Sequence, residues 1–232
     1  MTDQVRSNVP IVSVKNLEFS YVQGKKILEI EKFEVQKNET LFLHGPSGCG
    51  KTTLLSLMAG ILKARPGEMN VLGHDLGRIS GSARDALRGT SMGYIFQMFN
   101  LVPYLTVLEN IVLPCELNPK KAKRIQGPLA EHAQIICDGL GIAELMHQMA
   151  TELSVGQQQR VAAARALVGA PELIIADEPT SALDSDHREQ FLELLFAQCQ
   201  KYSTSLVFVS HDKSLQKMFD RNASLVEINK IK

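Results

Sequence analysis

No charge of either sign prevails in this chain of 232 residues: 25 Lys and Arg face 25 Asp and Glu. A general electrostatic grip on nucleic acid is therefore not indicated, and no nucleic-acid partner is expected. Cysteine is scarce. The four, at 49, 115, 137 and 199, include no C-x-x-C pair, which argues against a disulfide frame or a zinc site and reads as reduced, cytosolic thiols. Long apolar runs are missing as well. The longest candidates, such as Leu173–Ala176 and Leu206–Val209, are strand-sized, far short of the roughly 18–20 residues that span a bilayer. Met1–Pro10 is polar and lacks the apolar centre of a signal peptide. Such a chain does not cross a membrane by itself, although it can sit on one through a partner. No internal repeat and no low-complexity segment occurs. What is present, 44% hydrophobic and 22% charged residues, suits one or two compact domains with a real core.

The most informative stretch is LHGPSGCGKTTLL, from Leu43. Thr40–Leu43 reads as a short buried strand and Lys51–Ala59 as a helix with an apolar face. Glycines between strand and helix let backbone N–H groups curl around an anion without Cβ clashes, and the helix N-terminus adds partial positive charge. Lys51 supplies a full charge for the outer phosphates, and the Thr52 hydroxyl is suited to ligate Mg²⁺. Gly45–Thr52 fits Gly-x-x-x-x-Gly-Lys-Thr, the nucleotide-binding P-loop. Gly45, Pro46, Ser47, Gly48, Cys49, Gly50, Lys51, Thr52 and Thr53 are the residues expected around the phosphates, with the Cys49 side chain turned away.

Periodicity places these residues in an α/β frame. Ile11–Phe19 and Ile27–Val35 alternate apolar and polar residues, as antiparallel strands with one buried face do. Gly67–Gly73 reads as a short strand ending in a turn, Ser82–Arg88 as a short helix, and Met92–Phe96 as a strand that delivers Gln97. Thr106–His147 is helical in pattern, interrupted at Pro114, Pro119, Gly127-Pro128 and Gly139–Gly141. Val155–Val168 is a strong helix pattern. Leu173–Ala176, Leu206–Val209 and Ser224–Ile228 read as strands, with a helix over Ser185–Lys201. Strand–helix–strand alternation around a P-loop predicts a parallel core sheet, joined by an antiparallel β subdomain and a helical insert.

Two further stretches narrow the chemistry. In LIIADEPTSALD, four apolar residues make a strand whose C-terminal end carries Asp177 and Glu178. Ligands of parallel α/β sheets bind at that edge. Asp177 is placed to hold Mg²⁺ through water, and Glu178 to polarise the attacking water as general base. In LSVGQQQRVAAARAL, from Leu153, a serine and a glycine precede a helix starting near Gln157. Two readings stand side by side: Ser154 with Gln157 forms a capping box, or this helix N-terminus faces an anion. In the second, it lies on the insert and not beside the P-loop, so a second copy of the chain must supply it.

Together these motifs resemble those of the ATP-binding cassette (ABC) family over essentially the whole chain. Leu153–Gln157 resembles the signature Leu-Ser-Gly-Gly-Gln, with Val155 at the usual first glycine, a variation expected to be tolerated. Asp177-Glu178-Pro179-Thr180 matches the family's acid motif, and Ser181–Asp184 the loop after it. The resemblance implies that Gln97 senses Mg²⁺ and the γ-phosphate, that His211 is the switch histidine beside Glu178, and that Tyr21 sets its ring against adenine. It further implies that Ser154, Gly156, Gln157 and Asp184 reach the nucleotide across a dimer. A plain tyrosine at a strand exit, a polar exit at His211 and a helix cap at Asp184 are the alternatives. The expected organisation is one ABC ATPase domain over 1–232, with a nucleotide-binding core of 1–97 and 161–232 and a helical subdomain of 98–160. The expected ligands are ATP and Mg²⁺. The resemblance implies a homodimer formed with ATP, an integral membrane permease subunit as partner, and a cytoplasmic protein held peripherally at the inner face of the membrane.

The linking segments, FNLVPYLTVLENIVLP among them, are similar to the bacterial subfamily of lipoprotein-release, macrolide-efflux and cell-division ATPases. That implies export or mechanotransmission, with a periplasmic adaptor as a further partner; an importer subunit is the alternative, and a non-transport ABC ATPase a more distant one. No long extension follows the last expected strand, so no regulatory domain is expected there. Phe99, Leu101, Tyr104 and Leu105 read either as core of the helical insert or as a groove for a short helix of the membrane partner.

Overall fold

The computed structural model describes residues 9–22 and 24–231. Met1–Asn8, the greater part of the polar N-terminal stretch, lie outside the described residues. Two sheets carry the architecture. Strands β1 (Val12–Val22) and β2 (Lys25–Val35) form an antiparallel hairpin, and β3 (Thr40–His44) leads through the glycine-rich loop into helix α1 (Lys51–Met58). The short strands β4 (Met69–Val71) and β5 (His74–Asp75) complete a four-stranded sheet of order β2-β1-β4-β5. After α2 (Gly81–Ser91) comes β6 (Met92–Ile95), followed by a helical stretch of α3 (Val107–Leu117), α4 (Pro119–Ala122), α5 (Leu129–Leu140) and α6 (Val155–Leu167). The chain then returns through β7 (Leu173–Asp177), α7 (Ser185–Tyr202), β8 (Ser205–Val209), β9 (Arg221–Ser224) and the single helical turn α8 (Leu225–Ile228).

The second sheet has the order β6-β7-β8-β3-β9, and its pairings are parallel throughout. Its central strands are apolar on both faces because both faces are covered. Phe42, Ile174, Leu206 and Phe208 pack toward α3, α5, α6 and α7. Leu41, Leu43, Leu173, Ile175, Val207 and Val209 pack toward α1 and the antiparallel sheet. Each of these side chains is fully buried, worth about 1.5–3 kcal/mol apiece relative to exposure. This double covering is why Leu173–Ala176 and Leu206–Val209 read as continuous apolar runs.

Several boundaries differ from the periodicity reading. β1 runs on to Val22, so Tyr21 lies within a strand and not after one. The expected strand over Ser224–Ile228 is instead β9, ending at Ser224, followed by the turn α8; Leu225 and Ile228 anchor that turn in the core, a four-residue pattern that alternation does not separate from a strand. Pro114 does not interrupt α3, nor does Gly139 interrupt α5, which ends only at Gly141 in the left-handed region. Helix α6 begins at Val155, as its periodicity predicts and two residues before the start near Gln157 taken from the motif, because Ser154 is its N-cap. α2 extends over Gly81–Ser91, capped by the Ser80 hydroxyl.

Candidate nucleotide site

Parallel pairing puts the C-terminal ends of all five strands of the second sheet at one edge. β6 ends before Gln97, β7 delivers Asp177 and Glu178, β8 is followed two residues on by His211, and β3 opens into the P-loop. Residues 44 to 211 in the sequence thus meet because four strands stop together. The cavity at this edge, about 510 Å³, is lined by Tyr21, Ile27, Ser47, Gly48, Gly50, Lys51, Thr52, Thr53, Gln97, Asp177 and Glu178.

The loop is built for close approach. Gly50 caps α1 with φ 101°, a backbone position that side chains rarely adopt. A Cβ there would also lie 2.7 Å from Leu28 Cδ2. Lys51 is nearly buried, and its ammonium donates to Gly45 O (2.8 Å) and Pro46 O (3.1 Å). It also stands 3.9 Å from a Glu178 carboxylate oxygen. Gly45 and Pro46 therefore serve the site through their carbonyls and do not line its cavity. Cys49 is likewise outside the lining; its Sγ lies 2.7 Å from where a Gly45 Cβ would stand, and it packs on the core below the loop.

Burial pushes the Asp177 carboxyl above its ordinary range, and the neighbouring Glu178 charge adds to this; Lys51 and a hydrogen bond with Thr52 act against it. A desolvated carboxylate beside a like charge gains most from a cation. Among the described residues no group of three or more His, Cys, Asp or Glu forms a metal site. The Thr52 hydroxyl, Gln97 amide and Asp177 carboxylate instead offer a sparse set of hard oxygens in one cavity. That suits Mg²⁺, which is held by one or two carboxylates plus substrate phosphates.

Glu178 adopts φ 47°, in the left-handed region, uncommon outside glycine. The surrounding hydrogen bonds fix it there: its N–H donates to Val209 O (2.9 Å) and its C=O accepts from Ser181 N–H (3.2 Å). His211 Nδ1 lies 2.8 Å from Glu178 Oε2, while the His211 ring is largely exposed. Tyr21 is exposed at the cavity mouth; its hydroxyl is 3.2 Å from Thr53 Oγ1, and its ring stands edge-on to Phe19 at 5.1 Å.

The signature residues stand elsewhere. Ser154, Gly156 and Gln157 line a separate cavity of about 260 Å³, together with Leu183 and His187. It shares no residue with the P-loop cavity. Ser154 and Gln157 form the capping box: Gln157 N–H donates to Ser154 Oγ (3.4 Å), and Ser154 N–H to Gln157 Oε1 (2.9 Å). Asp184 caps α7, accepting from His187 N–H at 3.1 Å.

Two participants escaped the sequence. Ile27 lines the P-loop cavity from β2; only its place in a strand marked it. Arg188 donates from Nε to Leu183 O (2.7 Å) and from Nη1 to Asp212 Oδ2 (2.6 Å). It thereby ties the loop before Asp184 to the loop of His211, a contact with no sequence signature. The cluster Phe99, Leu101, Tyr104, Leu105 does not stay together: Phe99 joins the helical core while Tyr104 is 76% exposed. The apolar groove nearby is lined instead by Tyr94, Phe96, Pro114 and Leu117, about 380 Å³ in volume.

A glycine-rich loop feeding a helix, with an acid pair at the end of an adjacent parallel strand, defines a P-loop nucleoside-triphosphate-binding domain. Comparison with known proteins gives the family. The ABC transporter family model matches residues 28–181. The chain is 36% identical over 219 residues to the ABC transporter ATP-binding protein YbbA of Escherichia coli K12, covering 93% of this chain and 94% of that protein. It is 35% identical over 220 residues to the lipoprotein-releasing system ATP-binding protein LolD of Hydrogenovibrio crunogenus, covering 94% of each. Among solved structures it is similar to the dimeric bacterial ABC transporter cassette MJ0796 (TM-score 0.77, 30% identity, 92% of this chain and 93% of that one). It is equally similar to that cassette's dimeric post-hydrolysis state bound to ADP and Pi (TM-score 0.78, 30% identity, the same coverage). The chain belongs to the ABC transporter ATP-binding family, with the ABC ATPase fold. It is an ATP-binding subunit that hydrolyses ATP.

Proposed function

We propose that two copies of this chain close around two Mg·ATP, and that closure and release drive a separate membrane protein. The observation that carries this reading is the separation of the two cavities. The P-loop, Gln97, Asp177 and Glu178 form one half of a phosphate site, and the first turn of α6 lies outside it. A second copy supplies the missing half, with Ser154 Oγ and the Gly156 N–H on the γ-phosphate and Gln157 and Asp184 beside it. The dimeric state of the similar MJ0796 cassette supports this arrangement. The helical subdomain, 98–160, carries the first turn of α6, and the core of 1–97 and 161–232 carries the P-loop and the acid pair.

In the closed site the P-loop N–H groups and Lys51 hold the phosphates, and Tyr21 covers the base. Thr52, Gln97 and Asp177 would hold Mg²⁺, which when bound neutralises charge developing on the transferred phosphoryl group. Glu178 takes the proton of the attacking water. His211, hydrogen-bonded to that carboxylate, orients it and reaches the γ-phosphate.

Among the described residues no helix is long and apolar enough to cross a membrane, which supports a separate membrane subunit and a place at the inner face of the membrane. The groove beside β6 and α3, next to Gln97, is where that subunit docks a short helix. Similarity to LolD proteins supports an export or mechanical stroke, with a periplasmic adaptor beyond the membrane subunit.

The test is co-purification from the native host of a tagged Glu178→Gln chain, held with Mg·ATP in mild detergent. A stoichiometric membrane protein with few spans and a large extracytoplasmic domain is expected. A many-span permease with a solute-binding protein would replace export by import. Ribosomal or DNA-bound proteins, with no membrane partner, would overturn the transport reading.

A further inference from the structure

The apolar groove holds an imbalance of charge. Its lining includes Arg88, Lys121 and Arg165 and no carboxylate. Arg88 has its own acid, Asp85, at 2.6 Å. The other two do not. Lys121 is 3% exposed, and its ammonium makes one hydrogen bond, to Met92 O at 3.2 Å. The groups acting on its charge are the Cys115 thiol and the Arg124 guanidinium, and burial pulls its pKa below the usual lysine range. Arg165 donates to Phe99 O and Asn100 O and is likewise desolvated. Among the described residues neither cation pairs with a carboxylate. A buried cation without a counter-ion is costly; Lys121 is one, and the half-buried Arg165 lines the same concave, largely apolar surface.

We propose that the groove recognises a carboxylate: the helical segment that the membrane partner docks here carries an Asp or Glu whose side chain reaches between Lys121 and Arg165. This rests on the docking reading given above and adds its chemistry. Apolar side chains of the segment lie against Tyr94, Phe96 and Leu117, and the single acid fixes register and partner choice. A partner lacking the acid leaves both cations unpaired, which discriminates against it. Charge complementarity of this kind carries specificity more than bulk affinity.

The test uses the full chain and the membrane protein that co-purifies with it. Lys121→Met and Lys121→Gln shorten the side chain by one atom and remove the charge. Lys121 lies outside the nucleotide machinery, so basal ATP hydrolysis is expected to stay unchanged. The melting temperature of the chain alone is expected to hold or rise, because an uncompensated buried charge is removed. Affinity for the detergent-solubilised partner is expected to fall about tenfold or more. Each acidic residue in the partner's cytosolic segments is then changed to its amide. One of them is expected to lose affinity in wild type and to lose nothing further in Lys121→Met, the non-additivity of a direct pair. Affinity within about twofold of wild type in both lysine variants, or losses that multiply for every acid tested, would overturn the carboxylate pairing while leaving docking intact. Absence of any stoichiometric membrane protein would overturn the docking reading, and the pairing with it.

Discussion

Gly156→Ala separates what the lone chain needs from what the dimer needs. Gly156 is the second residue of α6, and it is not among the glycines with positive φ. A Cβ built there meets only Leu183 Cδ2, at 3.7 Å, an ordinary van der Waals contact. Within one chain nothing therefore demands glycine. Alanine is the better helix former by up to about 1 kcal/mol, so the variant's Tm should hold or rise by up to about 4 °C for a chain of this length. Between two chains the arithmetic reverses. A γ-phosphate accepting from the Gly156 N–H must come within about 3 Å of the backbone, and a methyl group holds it off. Removing one such charge-stabilising donor costs about 2.7–4 kcal/mol of barrier, or about 10²–10³ in kcat. The assay is phosphate release at saturating Mg·ATP, with thermal melting and size-exclusion of the ATP-bound form on the same preparation. A stable fold with lost turnover is the expected pair of results. Turnover within about threefold of wild type, under 1 kcal/mol of barrier, would refute a phosphate at this helix end and with it the two-chain site. Val155 fits the same logic: it is the first helical residue, about half exposed, and no left-handed backbone there calls for glycine.

Three further predictions follow from the geometry. Glu178→Gln keeps the shape and removes the base; hydrolysis should fall about 10²–10⁴-fold while an ATP-bound dimer accumulates on size-exclusion, and normal turnover would reject Glu178 as base. Asp177→Asn should raise the melting temperature at neutral pH and remove the Mg²⁺-dependent part of the ATP-induced thermal shift. The sign follows from its raised pKa: a carboxyl with a higher pKa folded than unfolded contributes stability at acid pH, lost as pH rises through the folded value, and the amide avoids that loss. An Asn variant no more stable at pH 7, with its Mg²⁺ effect intact, would remove Asp177 from the metal set. Tyr21→Ala should weaken ATP binding by about 5- to 150-fold, the worth of one base–aromatic stack at about 1–3 kcal/mol, and Tyr21→Phe should retain most of it; equal binding by all three takes the ring out of the site.

How legible the site was depends on where its information resides. The P-loop and the acid pair were readable because each joins a local motif to a strand end, whereas Gln97 and His211 were singled out through the family resemblance; parallel strands bring all of these strand ends to one edge. Boundaries were less readable. Leu225 and Ile228 dip into the core from one helical turn, and four residues cannot tell that turn from a strand. Pro114 sits inside α3 with the helix intact, because tertiary packing of Ile111, Val112 and Cys115 outweighs the lost hydrogen bond. Ile27, Arg188 and Lys121 were invisible for a different reason. Each owes its place to contacts across the fold, such as Arg188 with Leu183 and Asp212, that no spacing encodes.

Costly features of this fold stand at the nucleotide edge. Asp177 and Glu178 are adjacent carboxyls at a buried strand end, one of them desolvated. Glu178 holds a left-handed backbone, a conformation that costs on the order of 1–3 kcal/mol. Stabilising contacts lie elsewhere: in the two cores on either face of the parallel sheet, and in polar ties at the far strand ends, where Arg221 pairs with the nearly buried Glu39. Domain stability is itself only about 5–15 kcal/mol, so strain at the site is a large fraction of the whole. Binding a cation and phosphates relieves the electrostatic share of it and stabilises the folded chain by mass action. Loss of the γ-phosphate and its metal returns that repulsion to the same edge, next to the strand that carries Gln97 and borders the docking groove. On the proposed cycle, the energy that drives opening is stored as the like charge of Asp177 and Glu178 at the end of β7, adjacent to the proposed docking surface beside β6.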